Sequence, residues 1–377
     1  MFKTVDRYLL RSFVANYLLS LFVMISLYVS LDLFVNLDEF TEESSSLPVV
    51  LGHIASFYGY NLFLYFSQLS GVITLFAAAL TLARMQRSNE MTALLSSGCS
   101  MYRIAALVIV AGLFMNVLWI VDQEVVLPRV AYKLARPRDD VEGHRVYGVW
   151  CLKDGPSRLL SAVRFYPANR RLGRMMVIER NERGMLEGVI TADLAEWDAG
   201  RGGWVLSRGM RIQRVAETMD LASPDEGVRR EPLTFYRSEL NPEEIVLRQS
   251  AQWMNFLSLR ELGELQRRRV VSAGQVAQIR HTRFTQPINN VLLLLLGIVF
   301  FLRREPGSVI VQGGKALAVC ASCFVIGFIG VHLIGAIDMT LPLPLIGSVQ
   351  IPPALPAWFP VIVFSPLCVL LLDSVKT

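Results

Sequence analysis

The stretch SFVANYLLSLFVMISLYVSL, from Ser12 to Leu31, runs for 20 residues without a charged side chain. A helix needs about 20 apolar residues to cross the hydrocarbon core of a bilayer, so this stretch predicts a transmembrane helix. The whole chain has the same character, because 53% of its 377 residues are hydrophobic, only 18% are charged and its mean hydropathy is +0.42. This composition excludes an ordinary soluble protein and indicates an integral membrane protein.

Five more charge-poor runs are long enough to cross a bilayer, so we expect six transmembrane helices. The last run is too long for one crossing, and its first part contains five prolines, which disfavour a helix. We therefore place its crossing at about residues 357–372. The five runs are Leu47–Ala83, Ile104–Val121, Phe284–Leu302, Ala316–Ile337 and Met339–Leu372.

The distribution of basic residues indicates the side of the membrane on which each connection lies. Lysine and arginine gather in the N-terminal segment and in the second and fourth connections, whereas the first connection is acidic. Because basic residues are retained in the cytoplasm, we expect both termini to be cytoplasmic. The first apolar run has full span length and lacks a small-residue cleavage site, so we expect no cleavable signal peptide. The net charge of +5 reflects this bias and does not indicate nucleic-acid binding.

A long polar insert, roughly Pro128 to Gly274, separates the third span from the fourth. Its apolar residues occur in short or alternating runs between turn clusters, which predicts strands and hairpins. We expect an extracytoplasmic all-β domain, a sandwich or open roll, followed by a short helix that begins with a capping box at Ser258. The predicted division is residues 1–127 with the first three spans, 128–274 with the β-domain and connecting helix, and 275–377 with the last three spans.

No sequence motif supports catalysis or nucleotide binding. In GSVIVQGGKA, from Gly307 to Ala316, Val309 and Ala316 replace the first glycine and the hydroxyl residue that a Walker A motif requires. Cys320 and Cys323 have the spacing of a redox or metal motif, yet an apolar span offers neither a stabilised thiolate nor further ligands. The four histidines form no metal or catalytic motif. We therefore expect no metal site and no bound cofactor, and any work driven by ATP needs a separate ATPase.

The connection between the second and third spans reads NEMTALLSSGCSMYR, from Asn89 to Arg103. Ser88 or Asn89 is expected to cap a short helix over residues 89–97, with Gly98 as its stop signal. Its apolar residues lie on one side, and its single acid lies near the positive N-terminal end. A helix this short is not stable alone in water, so its apolar side needs lipid headgroups or a protein groove to pack against.

Several segments of the chain resemble the LptF/LptG family, the membrane subunits of the lipopolysaccharide-export ABC transporter. NEMTALLSSGCSMYR is similar to a cytosolic segment of that family, and VDRYL, from Val5 to Leu9, is similar to its opening. Further resemblances are found, in the same order as in the family, at Ala192–Gly209, Arg283–Pro287 and Pro353–Pro360. The combination extends over nearly the whole chain and is more specific than any single motif.

The resemblance implies a fold of six transmembrane α-helices with a periplasmic β-jellyroll-like domain inserted between helices 3 and 4, in the bacterial inner membrane. It implies a non-catalytic permease that exports lipopolysaccharide together with a second LptF/LptG permease. A cytosolic LptB dimer would bind ATP and magnesium and supply the hydrolysis. Periplasmic LptC- and LptA-like jellyroll proteins would receive the lipid.

The resemblance also assigns roles to particular residues. It makes residues 89–97 the coupling helix, in which Glu90 pairs with a basic residue of the ATPase groove and Met91, Leu94 and Leu95 fill an apolar pocket there. These roles are expectations that come from the family.

The substrate side of the molecule leaves alternatives open. Arg280 and Arg283, at the outer end of the fourth span, are candidates to bind lipid phosphates, but anchoring of the helix at the membrane surface is the favoured interpretation. Asp32 is acidic where basic residues are typical of LptG-like members, so the choice between an F-like and a G-like subunit stays open. Val189 and Leu194 have opposite parity, so both cannot face inward in a regular strand.

Two other functions are compatible with parts of the sequence. One is an ABC permease of the same mechanism that exports another lipid or a lipoprotein. The other is a membrane-embedded enzyme. The sequence does not support it, because it contains no Ser/His/Asp, HExxH or paired intramembrane carboxylate arrangement.

Overall fold

The computed structural model describes residues 4–41, 47–136, 145–181, 183–214, 228–250, 252–302, 309–329, 340–343, 347–350, 352 and 354–373. The chain forms two compact units. The first comprises Met1–Asn36, Asn61–Val126 and Ala273–Thr377, and the second comprises Leu37–Tyr60 and Leu127–Ser272. Residues 37–60 thus group with the insert, whereas the division expected from the sequence assigns them to the first three spans.

The helices occur in the following order: α1 Thr4–Val35, α2 Leu37–Thr41, α3 Leu47–Arg87, α4 Glu90–Ser96, α5 Met101–Val121, α6 Leu127–Leu134, α7 Pro242–Gln249, α8 Leu259–Arg267, α9 Ala273–Ile298, α10 Val309–Ile329 and α11 Leu355–Asp373. A π-helical segment, Asp122–Val126, joins α5 to α6, and a 3₁₀ turn covers Trp253–Phe256. The capping box predicted at Ser258 is present at the start of α8, where Ser258 and Glu261 exchange hydrogen bonds.

Four helical stretches among the described residues are long and apolar enough to cross a membrane: Thr4–Val35, Leu47–Arg87, Met101–Leu134 and Leu355–Asp373. Helices α9 and α10 fall on the fourth and fifth expected spans, and the count of six stays a prediction. The last helix begins at Leu355, close to the predicted start, because the preceding proline-rich segment does not continue as a helix.

Apolar side chains from α1, α3, α5 and α9 form the core of the first unit, including Phe13, Ile73, Ile104 and Leu294. Several buried polar groups in this core are hydrogen-bonded between helices, as is typical of membrane bundles. The Asn16 amide donates to the Thr81 hydroxyl at 2.9 Å. The Asn290 amide donates to Asn116 Oδ1 at 3.0 Å and to the Ser70 hydroxyl at 3.3 Å.

The second unit contains an eight-stranded antiparallel sheet, which confirms the strands and hairpins predicted for the insert, although the insert also contains the helices α6 and α7. The strands pair in the order β1-β2-β3-β4-β5-β8, while β6 pairs with β4 and β7. They are β1 Tyr147–Asp154, β2 Arg158–Tyr166, β3 Arg171–Arg180, β4 Leu186–Asp198, β5 Gly203–Ser207, β6 Met210–Arg214, β7 Val228–Pro232 and β8 Phe235–Arg237. A separate hairpin before α11 pairs β9 Thr340–Leu343 with β10 Gly347–Gln350.

The inward-facing residues of β4 change parity along the strand. Ile190 and Ala192 are buried, and the next buried residue is Ala195, while Val189 and Leu194 are only half-buried. The same three-residue step separates buried positions in β2 and β3, whose partners are in register with those of β4. Neither Val189 nor Leu194 is therefore among the buried, inward-facing residues, because the strand is not regular.

A buried carboxylate ties the end of β1 to β8. Asp154 is 0% exposed and accepts hydrogen bonds from the Tyr236 hydroxyl at 2.6 Å, the Ser238 hydroxyl at 2.7 Å and the Glu239 backbone N–H at 2.7 Å. Burial, reinforced by the negative charge of Asp154, raises the pKa of Tyr236, so the phenol stays protonated and donates. Three donors compensate for removing the carboxylate from water.

We expect Asp154→Ala to lower the free energy of unfolding of the β-domain by about 3 kcal/mol, because it leaves several buried donors unpaired. The measurement is urea unfolding of the full-length protein in detergent, followed by tryptophan fluorescence, in which the buried Trp204 serves as a reporter. Asp193→Ala is the matched control, since that carboxylate is exposed. Equal unfolding midpoints for the two variants would show that Asp154 is not a structural centre.

Candidate functional site

The short helix α4 lies between α3 and α5, as the sequence predicted, but its N-terminus is not capped in the predicted way. Asn89 occupies the N-cap position with a left-handed backbone, φ 56°, and its side chain makes no capping bond. The Ser88 hydroxyl donates back to the Arg84 carbonyl at 2.9 Å and therefore belongs to the end of α3. Neither expected cap is used, because the chain turns sharply enough for the two helices to follow each other directly.

The C-terminus of α4 ends as the sequence predicted. Gly98 adopts a left-handed conformation with φ 85°, which glycine accommodates without strain. Its N–H donates to the Leu95 carbonyl at 3.1 Å, and the Cys99 N–H donates to the Leu94 carbonyl at 3.0 Å. This pair of bonds is a Schellman motif, so Gly98 sets the end of the helix.

The apolar side of α4 packs against the chain's own helical core. Met91 is 3% exposed and lies in the core cluster, and Leu94 and Leu95 pack against the same cluster. This differs from the expectation that all three side chains fill a pocket in another protein. Burial within the bundle explains how seven residues hold a helical conformation. The exposed residues of α4 are Thr92, Ala93 and Ser96.

The carboxylate of Glu90 is half-buried and bonds to α1. Its Oε2 accepts a hydrogen bond from the Tyr8 hydroxyl at 3.0 Å. Its Oε1 accepts no hydrogen bond within the part of the chain that the structure describes. Glu90 therefore joins α4 to α1 through one oxygen and leaves the other able to accept from a further donor.

A second contact joins α1 to the start of α5. The Arg103 guanidinium donates to both carboxylate oxygens of Asp6, from Nη2 at 2.8 and 2.7 Å and from Nε at 3.2 Å. Asp6 is buried, so this pairing compensates its carboxylate for part of the water lost on burial. Asp6 and Tyr8 belong to the segment VDRYL, which joins α1 to the start of α5 through Asp6 and to α4 through Tyr8.

Sequence reasoning missed the partners of these residues. Asp6 and Arg103 are 97 positions apart, and Tyr8 and Glu90 are 82 apart, so no local pattern relates them. The available signal was that an acid, Asp6, and an aromatic hydroxyl, Tyr8, stand just before the charge-free run Ser12–Leu31.

The two arginines predicted to contact lipid have different surroundings. Arg283 donates from Nη1 to Glu124 Oε1 at 2.7 Å, and only 9% of its side chain is exposed. Glu124 lies in the π-helical segment, so this pair holds α9 against the end of α5. Arg280 is exposed and forms no ion pair with another described residue. The two arginines therefore differ in exposure: Arg283 is nearly buried beside Glu124, whereas Arg280 is open to a ligand.

No metal centre is found within the described residues, where no group of three or more His, Cys, Asp or Glu side chains is close enough to hold an ion. Cys320 and Cys323 are free thiols in α10. His281 lies beside α11, where its Nδ1 accepts from the Trp358 indole N–H at 3.4 Å. That contact joins α9, two residues before the segment Arg283–Pro287, to Trp358 in the segment Pro353–Pro360.

We expect Arg103→Ala to loosen α4 and the first turn of α5, because the buried Asp6 loses its hydrogen bonds to the guanidinium. Amide hydrogen exchange over residues 89–104 in detergent should accelerate by about tenfold. Arg87→Ala is the control, since the Arg87 side chain is exposed and makes no ion pair with a described residue. Unchanged exchange in Arg103→Ala would mean that the pair does not hold this end of the bundle.

The comparisons with known proteins agree with the architecture. The chain matches the family model described as lipopolysaccharide export system permease LptF/LptG over residues 7–374, which is nearly its whole length. A search of curated proteins found no match. The match includes the apolar helices, the antiparallel β-domain and the α4 segment. The chain therefore belongs to the LptF/LptG family of lipopolysaccharide-export permeases, which reside in the inner membrane.

Proposed function

We propose that this chain is a permease subunit that extracts lipopolysaccharide from the inner membrane and passes it to a periplasmic bridge, driven by a separate ATPase. The family match over residues 7–374 supports the transport role. The observation that carries the mechanical part is α4, which is anchored to the helical core by Met91 and keeps one oxygen of Glu90 unbonded within the described chain.

The proposed topology has six spans, both termini in the cytoplasm and a periplasmic jellyroll-like domain between the third and fourth spans. Helices α9 and α10 would complete the four long apolar helices to six. The asymmetric distribution of Lys and Arg supports this orientation, which places α4 in the cytosol.

We propose that α4 is the coupling helix and that a cytosolic ATPase dimer of the LptB type binds it. Because Met91 is internal, the contact surface would consist of Thr92, Ala93 and Ser96 together with the open side of Glu90. Leu94 and Leu95 are half-buried and would contribute only their outer edges. A basic residue in the ATPase groove would pair with Glu90 through a charge-assisted hydrogen bond.

The remaining partners and the substrate contacts follow from the same proposal. A second LptF/LptG permease would complete the membrane part, and LptC- and LptA-like jellyroll proteins would receive the lipid. ATP and magnesium would bind the ATPase, and this chain would bind no cofactor. Arg280 is the better candidate for contact with a lipid phosphate, because Arg283 is already paired with Glu124.

We expect Glu90→Ala to uncouple ATP hydrolysis from transport. The variant should fold, because Glu90 is only half-buried, while the lipopolysaccharide transported per ATP in proteoliposomes should fall by about tenfold, the loss expected for one charge-assisted contact. Glu264→Ala, a matched change of an acid on α8, should transport as the wild type does.

Two results would contradict this proposal. Full coupling in Glu90→Ala would show that the acid does not transmit the stroke. If neither a small cytosolic ATPase nor a second six-span protein copurified with the wild-type chain, the transporter assignment itself would fail.

A further inference from the structure

A crease crosses the β-domain where the strands change parity. One buried row across the paired strands β2, β3 and β4 consists of Ala162, Met175 and Ala192. A second buried row lies three residues away along each strand and consists of Phe165, Leu172 and Ala195. The crease lies at this step and forms an open cavity of about 300 Å³. Its walls include Trp150, Val163, Arg174, Met176, Asp193 and Arg208.

An indole lies at one end of the crease with most of its surface open. Trp150 is 69% exposed, which is unusual for so large an apolar side chain. Its ring lies against the backbone of Gly148, where an added Cβ would come within 2.8 Å of the indole nitrogen. Glycine at position 148 therefore lets the indole lie close to the sheet and expose its outer face.

Charged side chains line the rest of the crease. Arg174 adopts a left-handed backbone with φ 50°, and its exposed guanidinium forms no ion pair with any described residue. Next to it on β4, Asp193 accepts from Arg208 Nε at 2.8 Å, with 60% and 84% of the two side chains exposed. The crease thus carries one unpaired cation and one exposed ion pair, both able to form further hydrogen bonds.

We propose that the crease binds a sugar ring that carries a phosphate or another anionic group. A pyranose ring presents an apolar C–H face that packs on an exposed indole, and hydroxyls that bond to a guanidinium and a carboxylate. The phosphate would pair with Arg174. In the proposed transport function, on which the source of the sugar rests, this ligand is the phosphorylated saccharide part of the exported glycolipid.

The same geometry disfavours an acyl chain in the crease. The floor residues Ala162, Met175 and Ala192 are only 2–4% exposed, so the crease offers an acyl chain no deep apolar slot. The accessible walls carry three charged side chains, which an acyl chain would desolvate without compensation. The crease is therefore suited to a flat polar ring.

The test is isothermal titration of the full-length protein in a detergent without a sugar headgroup. The probes are a deacylated phosphorylated oligosaccharide from lipopolysaccharide, the same oligosaccharide after dephosphorylation, and dodecyl phosphate. We expect the phosphorylated oligosaccharide to bind most tightly. Trp150→Ala should weaken its binding by about tenfold, because the stacking surface is lost.

Two further variants separate the contributions. Gly148→Ala keeps the tryptophan but displaces the ring, so we expect weaker binding with an intact fold. Arg174→Ala should remove the preference for the phosphorylated probe. Arg170→Ala is its matched control, because Arg170 is an exposed arginine with φ 52° that does not line the crease.

The proposal is overturned if the phosphorylated oligosaccharide does not bind, if dodecyl phosphate binds as tightly, or if the crease variants bind as the Arg170→Ala control does. Copurification of the ATPase and lipopolysaccharide-stimulated hydrolysis are measured in parallel on the wild type. Intact transport without oligosaccharide binding refutes the crease site alone, whereas a missing ATPase partner refutes the transport proposal and leaves the binding result standing.

Discussion

The ion pair between the buried Asp6 carboxylate and the partly exposed Arg103 guanidinium is the contact on which the arrangement around α4 depends. A carboxylate placed in an apolar core is strongly unfavourable unless a fixed donor compensates for the lost water. The planar guanidinium does so by contacting both oxygens, at 2.7 and 2.8 Å. Because this geometry tolerates little displacement, the pair sets the position of α1 relative to the first turn of α5.

Helix α4 derives its position from this frame. Seven residues are too few to form a stable helix in isolation, and the sequence instead supplies an apolar anchor at Met91 and a glycine stop at Gly98. The Tyr8 hydroxyl then bonds to Glu90, so α4 is tied to the same helix as α5 is. A displacement applied to α4 would therefore be transmitted to α1, which is the physical basis for the proposed coupling role.

Much of the fold was predictable because its causes are local. Charge-free runs of membrane length predict α1, α3, α5 and α11, and alternating short runs predict the antiparallel sheet. The stop at Gly98 and the capping box at Ser258 follow from residue chemistry within one turn. The apolar side of α4 was also predicted, but amphipathicity does not specify the partner, and Met91 packs inside its own chain.

The features that were not predictable depend on distant residues or on irregular backbone. The partners of Asp6, Glu90 and Arg283 are 80 or more positions away, so sequence periodicity carries no information about them. The crease contains arginines with a left-handed backbone conformation, such as Arg174. A regular alternating pattern predicts an extended backbone at such positions. These same irregular elements supply the sites proposed for coupling and for sugar binding.

The most direct test is a double-mutant cycle between Tyr8 and Glu90, read out as lipopolysaccharide transported per ATP in reconstituted complexes. Tyr8→Phe removes only the hydroxyl that donates, and Glu90→Ala removes the carboxylate that accepts from it. If the two residues transmit motion through their shared hydrogen bond, Tyr8→Phe should reduce coupling in the wild type and have little additional effect in Glu90→Ala. Additive losses would contradict transmission through this bond.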